Sequence, residues 1–101
     1  MISAKEAKRI SEKNYEAFMV SQRLEALKNL SYKIEEYINE AIQDGSKDAY
    51  IDLPYCLFCG NKMCKGLKQI LKDLEANGYE TEIDTFFVND HELCISWQNA
   101  F

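Results

Sequence analysis

Four cysteines stand in this chain of 101 residues, and three of them are close together: Cys56-Leu57-Phe58-Cys59-Gly60, with Cys64 following. A C-x-x-C turn can aim two thiolates at one zinc ion, and a glycine after the second cysteine tolerates the backbone such a knuckle needs. Cys64 falls at the start of the next expected helix, where the amide dipoles favour a thiolate, and offers a third donor. A fourth would have to come from Cys94 or His91. Cys56, Cys59, Cys64 and Cys94 are therefore the candidate metal ligands, and zinc the candidate cofactor, although a second C-x-x-C knuckle is absent from the sequence. The same residues read as a thiol–redox pair, because strand, C-x-x-C and helix is the local order of thioredoxin-like sites. Against that, no proline follows Cys59 to build the loop that faces such sites. The third reading is four reduced thiols. Cys64 then lies in an apolar helical stripe as a small hydrophobe, and Leu57 and Phe58 plug the end of a sheet. Strand alternation puts Cys94 on an open, acidic face, apart from the other three.

Little else carries chemistry. His91 is the only histidine, and between Asp90 and Glu92 it reads as a solvated hairpin-turn residue. A hydrolytic triad has no Gly-x-Ser-x-Gly element to stand on, and no glycine-rich phosphate loop occurs. Asp52, Glu80, Glu82 and Asp84 could pair as acid and base or hold a divalent cation, but alternating carboxylates are also the ordinary solvated side of a half-buried sheet. The sequence is read as that of a non-enzymatic protein.

The elements that must position these residues follow from pattern and punctuation. Ser3-Ala4-Lys5-Glu6 has the form of a capping box. No proline or glycine follows until Gly45, which supplies a left-handed stop. Within this span Ala17, Val20, Leu24, Leu27, Ser31, Ile34, Ile38 and Ala41 recur at steps of three and four, as in a coiled-coil seam, with Phe18, Leu30 and Tyr37 widening it. A single helix of about 40 residues would run about 60 Å. That exceeds the rest of the domain, so its surplus would pack on another chain. The rival is a break near Asn29-Leu30-Ser31 into two antiparallel helices. The uninterrupted or kinked form is favoured, because no turn residue stronger than Asn29 is present.

Beyond Gly45, Ala49 to Leu53 alternates as a strand ending at Pro54. Asn61 to Ala76 reads as a helix capped by Asn61 and stopped by Asn77-Gly78, with Gly66 an internal weak point. Tyr79 to Phe87 and Glu92 to Trp97 read as strands joined across Asn89-Asp90. The fold class is α+β: a long N-terminal helix (1–45, an oligomerisation arm) followed by a β-α-β-β unit (46–101) with a small three-stranded sheet, in one domain. The first two strands, joined through a helix, are expected to pair in parallel, with the third antiparallel to the second. Ile51, Leu53, Ile83, Leu93 and Ile95 face one way; Tyr50, Asp52, Glu80, Glu82, Asp84 and Cys94 face the other. Phe86-Phe87-Val88 forms an apolar hairpin tip, and the tail from Trp97 to Phe101 is expected to dock likewise. The residues expected at an interface are Val20, Leu24, Leu27, Ile34, Ile38, Phe86 and Phe87.

Composition limits the partners. Seventeen Asp and Glu against twelve Lys and Arg give a net charge of −5, with no Lys/Arg cluster, which disfavours nucleic-acid polymers and anionic lipid. No apolar stretch approaches the roughly 20 residues of a membrane span. The N-terminus reads as a helix start, not a secretory signal, so the cysteines are expected to be reduced in a cytoplasm.

The chain resembles a loose group of short proteins encoded by phages and prophages of Gram-positive bacteria. The resemblance rests on the opening Met1-Ile2-Ser3-Ala4-Lys5-Glu6-Ala7, the long charged helix ending at Asp44-Gly45, the run Leu74-Glu75-Ala76-Asn77-Gly78-Tyr79-Glu80 and the closing Ile95-Ser96-Trp97. The segment from Cys56 to Cys64 is not part of that pattern. The resemblance implies an accessory factor in the host cytoplasm that acts on a host protein or defence component, or sequesters a small signalling molecule. It carries over no catalytic residue.

Overall fold

A computed structural model of the chain describes residues 1–59, 62–87 and 90–100. Helix α1 spans Ala4–Gln43, 40 residues without a break. Its start is the predicted one: the Ser3 hydroxyl accepts from the Glu6 amide at 3.2 Å. The reciprocal half of the capping box is missing, since Glu6 turns to Arg9 at 3.7 Å instead. Gly45, at φ +78°, ends the helix where the Ser46 amide reaches the Ala41 carbonyl at 2.8 Å; a Cβ is disfavoured at that dihedral.

Strand β1 (Asp48–Leu53) runs back along α1 and leads into a 3₁₀ turn at Tyr55–Leu57. Two short strands, β2 (Phe58–Cys59) and β3 (Lys62–Met63), pair antiparallel before α2 (Lys65–Ala76). The second helix is thus shorter than the pattern predicted. It starts after Cys64, which holds the N-cap position, because the residues before it are taken up by the β2–β3 pair; Asn61 lies outside the described residues. Strands β4 (Glu80–Phe87) and β5 (Asp90–Ser96) complete the architecture, so the α+β class with a small three-stranded sheet holds.

The expected strand order does not hold. The sheet runs β1-β5-β4, with β5 antiparallel to both neighbours. β1 and β4 are parallel in direction, as a helical crossover requires, but β5 separates them. The central strand is the one whose inward side chains are most completely buried: Leu93 and Ile95 are fully enclosed and His91 is 4% exposed.

The inner sheet face (Ala49, Ile51, Leu53, Leu93, Ile95) packs on Leu30, Ile34 and Ile38 of α1 and on Leu67 and Leu74 of α2. Each of the leucines and isoleucines among them contributes roughly 1.5–3 kcal/mol by leaving water. Leu57 and Phe58 are buried at the end of the sheet, as the plug reading required. Gly66 brings the two helices together: a Cβ there would stand 2.4 Å from Leu27 Cδ1.

Ile34 and Ile38, expected at an interface between chains, lie in this core, and Leu27 is half-buried against it. The stripe that α1 turns to the sheet is Met19, Arg23, Ala26/Leu27, Leu30, Ile34, Tyr37/Ile38 and Ala41, rotated from the predicted seam so that Leu30 takes the place of Ser31. Val20 and Leu24 fall outside it, 54% and 65% exposed. Towards the N-terminus α1 continues past the sheet as an arm, exposed at nearly every residue from 1 to 18, and the molecule extends 64 × 23 × 23 Å.

Candidate functional site

The arm leaves the body beside the Cys56 segment, and two contacts fix that junction. Arg23 Nε donates to the Cys56 carbonyl at 2.8 Å, and Cys56 Sγ points to the Gln22 carbonyl at 3.8 Å. Arg23 had no place in the sequence reading; its only signal there was its three- and four-residue spacing from Met19 and from Ala26/Leu27.

Between the arm and the segment lies an open groove of about 600 Å³, within the size range of small-ligand sites. Tyr15, Glu16, Met19, Val20 and Arg23 form the helix wall; Tyr55, Phe58, Cys59 and His91 form the other. The groove is largely apolar and aromatic, with an arginine, a glutamate, an imidazole and a thiol at its edges.

His91 is not a solvated turn residue. It is 4% exposed in β5, its ring stacked on Phe58 with centroids 3.8 Å apart and planes at 22°. Its Nδ1 is 2.9 Å from Thr85 Oγ1, the residue opposite it on β4. The misreading has a simple cause: β5 begins at Asp90, two residues earlier than expected, and strand alternation then turns His91 inward.

The four thiols do not form one site. Cys56 is buried against α1, Cys59 is exposed, Cys64 is half-buried at the start of α2, and Cys94 is half-buried on the open sheet face. Among the described residues the one set of three His, Cys, Asp or Glu donor atoms within 4.8 Å of one another is Asp84, Glu92 and Cys94. The cysteine arrangement does not fit a closed tetrahedral zinc site, which needs four ligands around one ion. Nor does the thioredoxin-like order survive, because Cys56 sits in a 3₁₀ turn and Cys59 in β2, with β3 between them and the helix.

Cys94 belongs to a different environment. Its Sγ donates to Asp84 Oδ2 at 3.4 Å. Partial desolvation, that hydrogen bond, and the charges of Asp84, Glu92 and Glu82 push the thiol up to about 11. Tyr50, opposite Cys94 on β1, is raised as well, first by the charge of Asp48. Both groups report the same field. Strands β1, β4 and β5 carry seven carboxylates and no Lys or Arg, and all seven alternate onto the face away from the helices. The ion pairs among the described residues, Lys8–Glu12 at 3.9 Å and Arg9–Glu6, both lie in the arm.

Of the remaining predicted interface residues, Phe86 is 59% exposed at the hairpin end, while the side chain of Phe87, like Val88, Asn89 and Phe101, lies outside the described residues. Trp97 is half-buried, edge-on to Tyr79 with centroids 6.0 Å apart. No described helix is long and apolar enough to cross a membrane. Comparison with protein-family models, curated proteins and solved structures gives no match.

Proposed function

We propose that this chain is a non-enzymatic binding protein that associates with itself through α1 and engages its target at the groove between the arm and residues 55–59. The observation that carries this reading is the arm. A helix of 40 residues is about 60 Å long, and its N-terminal part presents Tyr15, Phe18, Val20 and Leu24 to solvent. Large apolar side chains left in water along one helix mark an interaction surface. In keeping with the resemblance stated above, the target is a host protein or a small signalling molecule met in the host cytoplasm, and the role is that of a phage-type accessory factor directed at host machinery or defence. Two aromatic walls with Arg23 and Glu16 at the rim suit a planar ligand or an aromatic side chain of a partner.

Native mass spectrometry of freshly purified protein at micromolar concentration tests the proposal. Assemblies of more than one copy, with a small ligand or a host protein retained by the wild type and lost in Tyr15→Ala or Tyr55→Ala, support it. A strictly monomeric protein would remove self-association, and retention unchanged in both variants would remove the groove.

A further inference from the structure

The two halves of the molecule carry opposite charge. Residues 1–24 hold five Lys and Arg against three Glu, a net of +2; residues 25–101 hold seven against fourteen, a net of −7. The acid is concentrated on the open sheet face, where no carboxylate has an ion-pair partner among the described residues. We propose that two copies pair about a two-fold axis, each laying the arm of its α1 across the acidic sheet face of the other. This rests on the self-association proposed above and specifies its geometry.

Helical periodicity supplies the complementary surface. The stripe that faces the chain's own sheet through Leu30, Arg23 and Met19 continues at steps of three and four to Glu16, Glu12, Lys8/Arg9 and Lys5. Along one helix face, then, α1 is apolar where it covers its own inner sheet face and basic towards the end of the arm. Lys8 is paired with Glu12 and Arg9 with Glu6, but residues 1–9 still carry three cations against one carboxylate, so the outermost turns remain basic. The α-amino group and the positive end of the helix dipole add to it.

The dimensions agree. The arm, residues 4–18, is about 22 Å long at 1.5 Å per residue. A strand of seven residues is roughly 23 Å long, and three strands span about 14 Å, most of which one helix about 10 Å across can cover. The footprint is then roughly 220 Å². Counted on both surfaces of both contacts it reaches about 900 Å², the size of a weak, reversible interface.

The arrangement also closes. β1 runs antiparallel to α1, so the sheet end bearing Leu53, Asp90 and the exposed Phe86 lies towards the arm. A two-fold axis passing beside that end, in the plane of the sheet and perpendicular to the strands, sets the two sheets end to end. It carries each arm to the outer face of the partner's sheet, which is thereby enclosed between its own α1 and the partner's arm. Phe86 of each copy comes to the axis. Both contacts are equivalent, and neither is left open for further addition.

A charge swap tests this. One variant carries Lys5→Glu, Lys8→Glu and Arg9→Glu; the other carries the exposed-face changes Asp52→Lys, Glu80→Lys, Glu82→Lys and Asp90→Lys, which turn a face of seven carboxylates into one of three carboxylates and four lysines. Each alone opposes like charges and is expected to be monomeric by sedimentation velocity, with a native circular-dichroism spectrum. Mixed, they are expected to form a one-to-one heterodimer, because basic arm then meets acidic face and acidic arm meets basic face. In the wild type, raising salt from about 0.1 to 1 M, which shortens the Debye length from about 10 to about 3 Å, should weaken the dimer at least about tenfold. If the basic-face variant does not fold, the Asn/Gln version of the same four positions replaces it and should dimerise at least about tenfold more weakly than the wild type. Homodimers of wild-type strength in the folded variants, no heterodimer on mixing, or salt-insensitive pairing would overturn the arm-on-sheet geometry while leaving self-association standing. A wild type monomeric at every salt concentration would overturn both.

Discussion

At the residue scale, Cys94 shows how a sheet position sets the chemistry of a side chain. Its neighbours are carboxylates, and each disfavours a thiolate. Alkylation near pH 8 should therefore be much slower at Cys94 than at the exposed Cys59, and Asp84→Asn should speed it; mass-resolved labelling reads both. The linked effect on stability has a definite sign. The folded thiol titrates near 11 against an ordinary value of 9.0, so between those pH values the folded state holds the proton that the unfolded chain has lost. The contribution is complete below pH 9 and declines as pH rises through the window, with Tyr50 adding in the same direction, and melts across that range should show it. Cys56, Cys59 and Cys64 lead to a separate expectation. Because their sulfurs do not gather around one point, a chelator should leave the melting temperature unchanged, whereas a structural zinc site would unfold. The C-x-x-C spacing was plain in the sequence. What it could not convey is that one thiol turns to the Gln22 carbonyl and the other to solvent, because that depends on where α1 crosses the segment.

At the scale of elements, α1 contains two stripes of different consequence. Leu30 is 2% exposed, Leu24 65%. Leu30→Ala should cost about 2–5 kcal/mol in denaturant unfolding, the usual range for emptying a packed leucine site. Leu24→Ala should stay within about 0.5 kcal/mol when measured on the monomer. Periodicity identified the helix and both residues but not which stripe met the sheet, because apolar positions wrap more than half its circumference from residue 17 onward. Gly66 is a second case. Helix propensity alone predicts that Gly66→Ala stabilises by about 1 kcal/mol, but the added Cβ would displace Leu27, and overpacking costs about 1–3 kcal/mol. The expected net result is a loss of about 1 kcal/mol, reversed in sign when Leu27 is also alanine; a double-mutant cycle measures it. His91 belongs here as well, since the early start of β5 is what carries it from a turn into the core.

At the scale of the molecule, the arm is the feature that most separates stability from association. Removing residues 1–16 takes away exposed helix and almost none of the core, so the truncated chain should melt within a few degrees of the full chain at high dilution yet fail to self-associate. The extent of the helical span, the α+β class and the two-faced alternation of the strands were all determined by the sequence, because each depends on local periodicity, on caps and on glycine stops; that α1 runs its whole course as one unbroken helix was settled only by the structure. The central place of β5 was not determined by the sequence, since a crossover helix permits a strand between the two it joins and the choice depends on which strand buries the most apolar surface on one face while pairing on both edges. Nor was the division of α1 into a covered half and a free half, which depends on where the sheet ends along it. The carboxylates were legible one by one as outward-facing residues. Only the tertiary structure showed that they form one continuous face without a counter-charge, because that requires the register of three strands and the position of every lysine and arginine.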